Sequence, residues 1–181
     1  DADALAANAS VALPPQLATP YLLRQPTAPH IAAQQEGRPI SLPFILDCYR
    51  QIAGLAQAVV VEGVGGFRVP LDDATDTADM ACQLGLPVIL VVGLRLGCIS
   101  HTLLTVEAIA SRGLQLAGWV VNTVDPDLLN SESTVAALRS RIDAPLLGWV
   151  PRLSVPSGGA VEWAAAAAGY LDLSGLPGWP H

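Results

Sequence analysis

Lysine is missing from this sequence: the nine basic residues are all arginine, and they stand singly along the chain. No glycine-rich phosphate loop ending in Lys-Thr or Lys-Ser is therefore present in these 181 residues. Charge is scarce overall, 14% against the roughly 25% of an average soluble domain, and its balance is acidic, with a formal net charge of −7. A nucleic-acid surface needs clustered cations and a membrane-surface helix needs a basic face, so the sequence points to no nucleic-acid and no membrane partner. Long apolar runs are lacking too. The longest, residues 84–94, is interrupted by Gly85, Pro87 and Gly93 and falls far short of the roughly 20 residues of a membrane span. No charged-then-apolar leader opens the chain. Cysteine is limited to Cys48, Cys82 and Cys98, an odd number with no close pair, which fits free thiols in a reducing, cytoplasmic setting.

What is abundant is apolar sequence in short, evenly spaced runs. Residues 58–62, 87–93, 116–122 and 145–151 each read as a buried parallel strand. Helices are expected between and around them, over 41–57, 76–84, 100–112, 131–142 and 163–171. Ser41 and Ser100 are the expected caps of the first and third. Residues 11–38, with prolines at 14, 15, 20, 26 and 29, read as loop with a short extended piece at 21–23. Alternation of strand and helix predicts an α/β fold, a parallel sheet with helices on both faces, in a single domain over residues 1–181. An Ala-rich helix at 1–8 with no strand before it suggests that an upstream portion of the domain is left out.

In such sheets ligands gather beyond the carboxyl ends of the strands, so the residues that follow each run are the candidates. Glu62 closes a run of three valines and precedes Gly63-Val-Gly-Gly66. A carboxylate there suits magnesium, and glycines let backbone amides approach an anion; a polar strand end with a plain turn behind it is the alternative. Asp3 is a second candidate acid, or a solvated carboxylate at a helix start. The segment from Gly93 to His101 pairs Arg95 with a helix N-terminus and would receive a carboxylate or phosphate; a capped loop is the simpler reading. His101 reads as structural. Asn122 ends the third run with the donor and acceptor that a purine edge requires. Pro151, Arg152 and Leu153 follow the fourth run, placed to line a base.

Taken together these segments resemble the dethiobiotin synthetase family. The resemblance is carried by Val61-Glu-Gly-Val-Gly-Gly66 with Pro70-Leu71, by Pro87-Val-Ile-Leu-Val-Val-Gly-Leu-Arg-Leu-Gly-Cys-Ile-Ser-His101, and by Gly113-Leu-Gln-Leu-Ala-Gly-Trp-Val-Val-Asn122. Ala144-Pro-Leu-Leu-Gly148, Pro26-Thr-Ala-Pro-His-Ile31, Gln35-Glu-Gly-Arg-Pro39 and Asp3-Ala-Leu5 extend it, in order and at compatible spacing, over about residues 1–153. The resemblance implies a P-loop NTPase-like fold, incomplete at its N-terminus. It implies a cyclo-ligase of biotin biosynthesis that uses ATP, magnesium, carbon dioxide and 7,8-diaminononanoate. One amine takes up carbon dioxide as a carbamate, the carbamate oxygen accepts the γ-phosphoryl group, and the other amine closes the ring with loss of phosphate. Carried over, Asp3 and Glu62 would hold the metal, and Gly63, Val64 and Gly65 would run beside nucleotide and substrate. Asn122 and Thr123 would face adenine, with Pro151, Arg152 and Leu153 along the base. Gly97, Cys98 and Ser100 would present a helix start to the substrate carboxylate from a partner subunit, which implies a homodimer.

Three departures stand beside the resemblance. The phosphate loop and a later active-site lysine of the family have no counterpart here, so no residue is named as catalytic. The 181-residue chain alone is expected to be inactive, and one extended upstream to be active. Ser100 stands where many relatives carry Asn, and no acidic residue follows Leu153 in Ser-Val-Pro-Ser-Gly-Gly159 to hold a ribose. The alternatives are a related amidating synthetase of corrinoid synthesis or partitioning-type ATPase, and a degenerate, non-catalytic domain of the same fold.

Overall fold

A computed structural model describes residues 2–154, 159–176 and 179. The chain packs as two compact units, Asp1–Gly85 and Leu86–Trp179.

The first unit is built from helices and turns. Proline, which read as loop, instead starts two short helices: α2, Pro15–Ala18, and α3, Pro29–Gln35, each carry it in the first turn, where its missing N–H costs nothing. Helix α1 covers Ala2–Asn8. The expected cap at Ser41 is present, its hydroxyl accepting from the Phe44 amide at 3.4 Å to begin α4, Leu42–Ala53. Ala33, Ile40 and Leu71 form the core of this unit, with Tyr21, Leu23, Ile45 and Met80 against it. Tyr21 ties three pieces together. Its hydroxyl accepts from the Ser41 amide at 2.9 Å, the Arg38 guanidinium lies 5.2 Å above its ring, and Phe44 meets it edge-on. Asp76 and Asp79 form a reciprocal capping box at the start of α5, Thr77–Leu84, which Gly85 ends with φ 65°.

The strand expected at 58–62 is not formed. The segment is irregular, with Val60 70% and Val61 40% exposed. A run of β-branched residues becomes a strand only where a neighbour supplies hydrogen bonds and cover, and among the described residues this unit contains no other strand.

The second unit is the predicted parallel sheet. Strands β1, Val88–Leu94, β2, Leu116–Thr123, and β3, Leu146–Val150, lie in the order β1-β2-β3, all parallel. Helix α6, Cys98–Ser111, joins the first pair and α7, Ser131–Arg139, the second. Leu90 and Val92 stand beside Trp119 and Val121 on one face. With Leu94, Cys98, Val135, Leu138 and Ile142 they make the larger core. Trp119 is fully buried, and its indole N–H donates to the Ala144 carbonyl at 3.1 Å. The other face is covered near β3, where Ala117, Val120 and Leu147 pack with Leu176, Leu171 and Trp179. Near β1 the same face is open: Ile89 and Val91, read as buried on both sides, are 39% and 60% exposed. The outer edge of β3 is closed by an antiparallel bridge from Gly148 to Leu171 and by the Asp172 amide on the Leu147 carbonyl at 2.7 Å. Helix α8, Ala160–Ala168, follows β3 and precedes that edge segment.

Candidate functional site

Within the second unit the residues at the strand ends lie together. Register places Gly93 beside Asn122 and Asn122 beside Val150, so the three strands end side by side. One backbone and one side-chain bond continue that alignment past the sheet. The Asp125 amide donates to the Leu94 carbonyl at 3.2 Å, and the Arg152 guanidinium donates to the Val124 carbonyl at 3.3 Å. Asn122 is exposed at this rim. Thr123 is fixed by the Trp149 indole, which donates to its hydroxyl at 2.9 Å. Pro151, Arg152 and Leu153 leave β3 at the same end, with Pro151 and Leu153 half-buried and Arg152 exposed.

The segment after β1 is arranged differently from its sequence reading. Ser100 does not cap α6; Gly97 does, at φ 88°, and Ser100 is the third helical residue. A left-handed turn is needed to bring the chain off β1 into the helix, and glycine adopts it without strain. Gly97 offers no side chain to the amides of the first turn; that of Cys98 donates to the Arg95 carbonyl at 3.1 Å, and those of Ile99 and Ser100 face an anion site. Cys98 points into the core, so its thiol does not face a ligand. Arg95, Ser100 and Glu107 share a cleft of about 620 Å³ with the exposed side chains of Leu96, Leu104 and Leu129. A cleft that combines a cation, a helix start and alkyl side chains suits a molecule that carries a carboxylate on an aliphatic chain.

In the first unit Glu62 does not sit at a strand tip, because no strand precedes it. It is exposed at the head of the glycine run, and among the described residues it takes part in no ion pair or side-chain hydrogen bond. At Gly63 and Gly66 nothing lies within 4 Å of the point where a Cβ would stand, whereas Gly65, at φ 74°, turns the chain against Val69. Val64 is exposed beside them. Asp3 lies exposed in the first turn of α1. The missing ribose acid falls partly at 155–158, outside the described residues.

The sequence reading passed over what lies just downstream. Asp76 accepts the Arg68 guanidinium, and Thr77 bonds the backbone of residues 66–69. The Asp76–Asp79 capping box was legible as a spacing; the long reach of Thr77 was not.

The family described as AAA domain matches residues 1–157. The chain is 59% identical over 180 residues to a protein named ATP-dependent dethiobiotin synthetase BioD, from Janthinobacterium sp. (strain Marseille). That match covers 99% of this chain and 74% of the relative. Identity at this level over nearly the whole chain fixes the lineage: the chain belongs to the dethiobiotin synthetase family.

Proposed function

We propose that this protein forms dethiobiotin from 7,8-diaminononanoate, carbon dioxide and ATP, as a ligase of biotin biosynthesis. The observation that carries the reading is its 59% identity, over 99% of its length, to a protein named for that synthesis. ATP is a substrate and the other reactants are small molecules.

Each group has a part that its surroundings support. Asn122 and Thr123, with Pro151, Arg152 and Leu153, receive the adenine. The exposed amide of Asn122 supplies a donor and an acceptor to a purine edge, and the Trp149–Thr123 bond holds the tip in place. Gly97, Cys98 and Ser100 form the start of α6, where the Ser100 amide faces the carboxylate of the diamine and Arg95 adds charge. The exposed leucines of the same cleft favour a homodimer, in which this segment serves the partner's reaction.

Among the described residues no cluster of three or more His, Cys, Asp or Glu side chains forms a metal cage. Magnesium asks for something else: one or two carboxylates, with water and phosphate oxygens completing its shell. Glu62, exposed and without an ion-pair partner among the described residues, fits that demand, and Asp3 is the second carboxylate. When bound, magnesium neutralises charge on the phosphates. Gly63, Val64 and Gly65 run beside nucleotide and diamine, and at Gly63 nothing lies within 4 Å of where a Cβ would stand. Free thiols at Cys48, Cys82 and Cys98 favour the cytoplasm, and singly spaced arginines favour no nucleic-acid partner.

The full-length protein, given ATP, bicarbonate, magnesium and diaminononanoate, is expected to yield dethiobiotin by mass spectrometry with one phosphate per product. Omitting the diamine should stop phosphate release. Phosphate release that ignores the diamine refutes the reading. Glu62→Gln should raise the magnesium concentration for half-maximal rate by about tenfold or more, since even indirect metal contacts are worth that much.

A further inference from the structure

The glycine run has no regular structure of its own, and residues 60–66 are all exposed. Something outside it must fix where Glu62 and its neighbours lie. One buried hydroxyl is placed to do so. Thr77, 5% exposed, donates to the Phe67 carbonyl at 2.8 Å and reaches that of Gly66 at 3.2 Å. The same oxygen accepts from the Val69 amide at 2.9 Å, and the Thr77 amide donates back to the Val69 carbonyl at 2.9 Å. The chain leaving the glycine run is therefore wrapped around the first residue of α5. Asp76 holds that first turn through its box with Asp79, both bonds at 2.9 Å, while its other carboxylate oxygen takes the Arg68 guanidinium. Gly65 packs against the same segment, where a Cβ would stand 3.2 Å from Val69 Cγ2.

We infer that Thr77 is a positioning residue for this site, anchoring the glycine run, and through it Glu62, to the start of α5 with help from the Arg68–Asp76 ion pair. The inference rests on the function proposed above. A threonine hydroxyl has one proton and two lone pairs, and here the proton and a lone pair are both engaged with backbone. Valine has nearly the same shape but neither donor nor acceptor, so Thr77→Val leaves the packing and removes the anchor. Serine keeps the hydroxyl.

The test compares the full-length wild type with Thr77→Val, Thr77→Ser and Arg68→Gln, measuring kcat, KM and the thermal midpoint of each. Thr77→Val should lower kcat about tenfold to 100-fold, the scale expected when reacting groups are displaced by about 1 Å. Serine should recover most of that loss. Arg68→Gln, whose side chain is largely exposed, should fold normally and lower kcat in the same direction by less. A folded Thr77→Val protein with wild-type kinetics overturns the inference, and so does a loss that serine does not recover. If the valine protein does not fold, Arg68→Gln decides, and an unchanged kcat there overturns it. A wild type that makes no dethiobiotin refutes the functional reading instead. Amide hydrogen exchange at residues 63–67 then tests the anchor by itself, with faster exchange in valine and recovery in serine supporting it and equal exchange overturning it.

Discussion

Asp72 engages three donors with one carboxylate: the amides of Ala74 and Thr75, both at 2.7 Å, and the Thr75 hydroxyl at 2.8 Å. The Ala74 amide above all, then the Thr75 hydroxyl and amide, hold its carboxyl below the ordinary aspartate range. The sign follows from linkage. The folded carboxyl gives up its proton more readily than the unfolded one. Its contribution to stability is therefore fully present above the ordinary aspartate pKa of about 3.9 and fades as pH falls through the lowered folded value. Urea midpoints measured at a series of pH values should show the wild type losing stability over that acid window. Asp72→Asn should be less stable at neutral pH and lose less on acidification. An identical pH profile would show that this turn does not feel its carboxylate. Asp72 was not legible as a turn-former, because an Asp two residues before a small residue is too common a pattern to single out. Glu62 and Asn122 were legible because each ends an apolar run. That signal marks a position along the chain and says nothing of whether the run pairs, and Glu62 lost its strand while Asn122 kept it.

At the scale of elements, the difference between those two runs is a matter of neighbours. Residues 116–123 have a strand on each side, and residues 58–62 have none within their own unit among the described residues. Periodicity cannot report partners, so three of four runs formed strands; helices α4 and α5 were readable, and so was the cap of α4. The prolines that suggested loop were helix starts in α2 and α3 for an equally physical reason, the tolerance of the first turn. The edge of β3 was not foreseeable at all. It depends on the returning chain lying so close to Gly148 that an added Cβ would overlap the Tyr170 carbonyl and stand 2.9 Å from Leu171 Cδ2. Gly148→Ala should therefore destabilise the protein by about 1–3 kcal/mol, the usual range for overpacking, read as a lower urea midpoint with the slope unchanged. The same substitution at Gly175, where nothing lies within 4 Å, should leave the midpoint in place. Equal effects at both glycines would show that the edge gives way freely.

For the molecule as a whole, composition and spacing disclosed the α/β class, and motifs disclosed the family. The division into two units was hidden, since residue 85 is a glycine ending a helix and Pro87 follows, an ordinary way to enter a strand. No composition shift marks the boundary, because each unit carries a small apolar core of its own. The bond from Trp149 to Thr123 has one more consequence. It sets an indole one residue from the rim amide of Asn122, so whatever settles there alters the polarity felt by a natural fluorophore. Addition of nucleotide to the full-length protein should shift tryptophan emission, and Trp149→Phe should remove the shift. Occupancy of that end of the sheet then becomes something that light can report without any label.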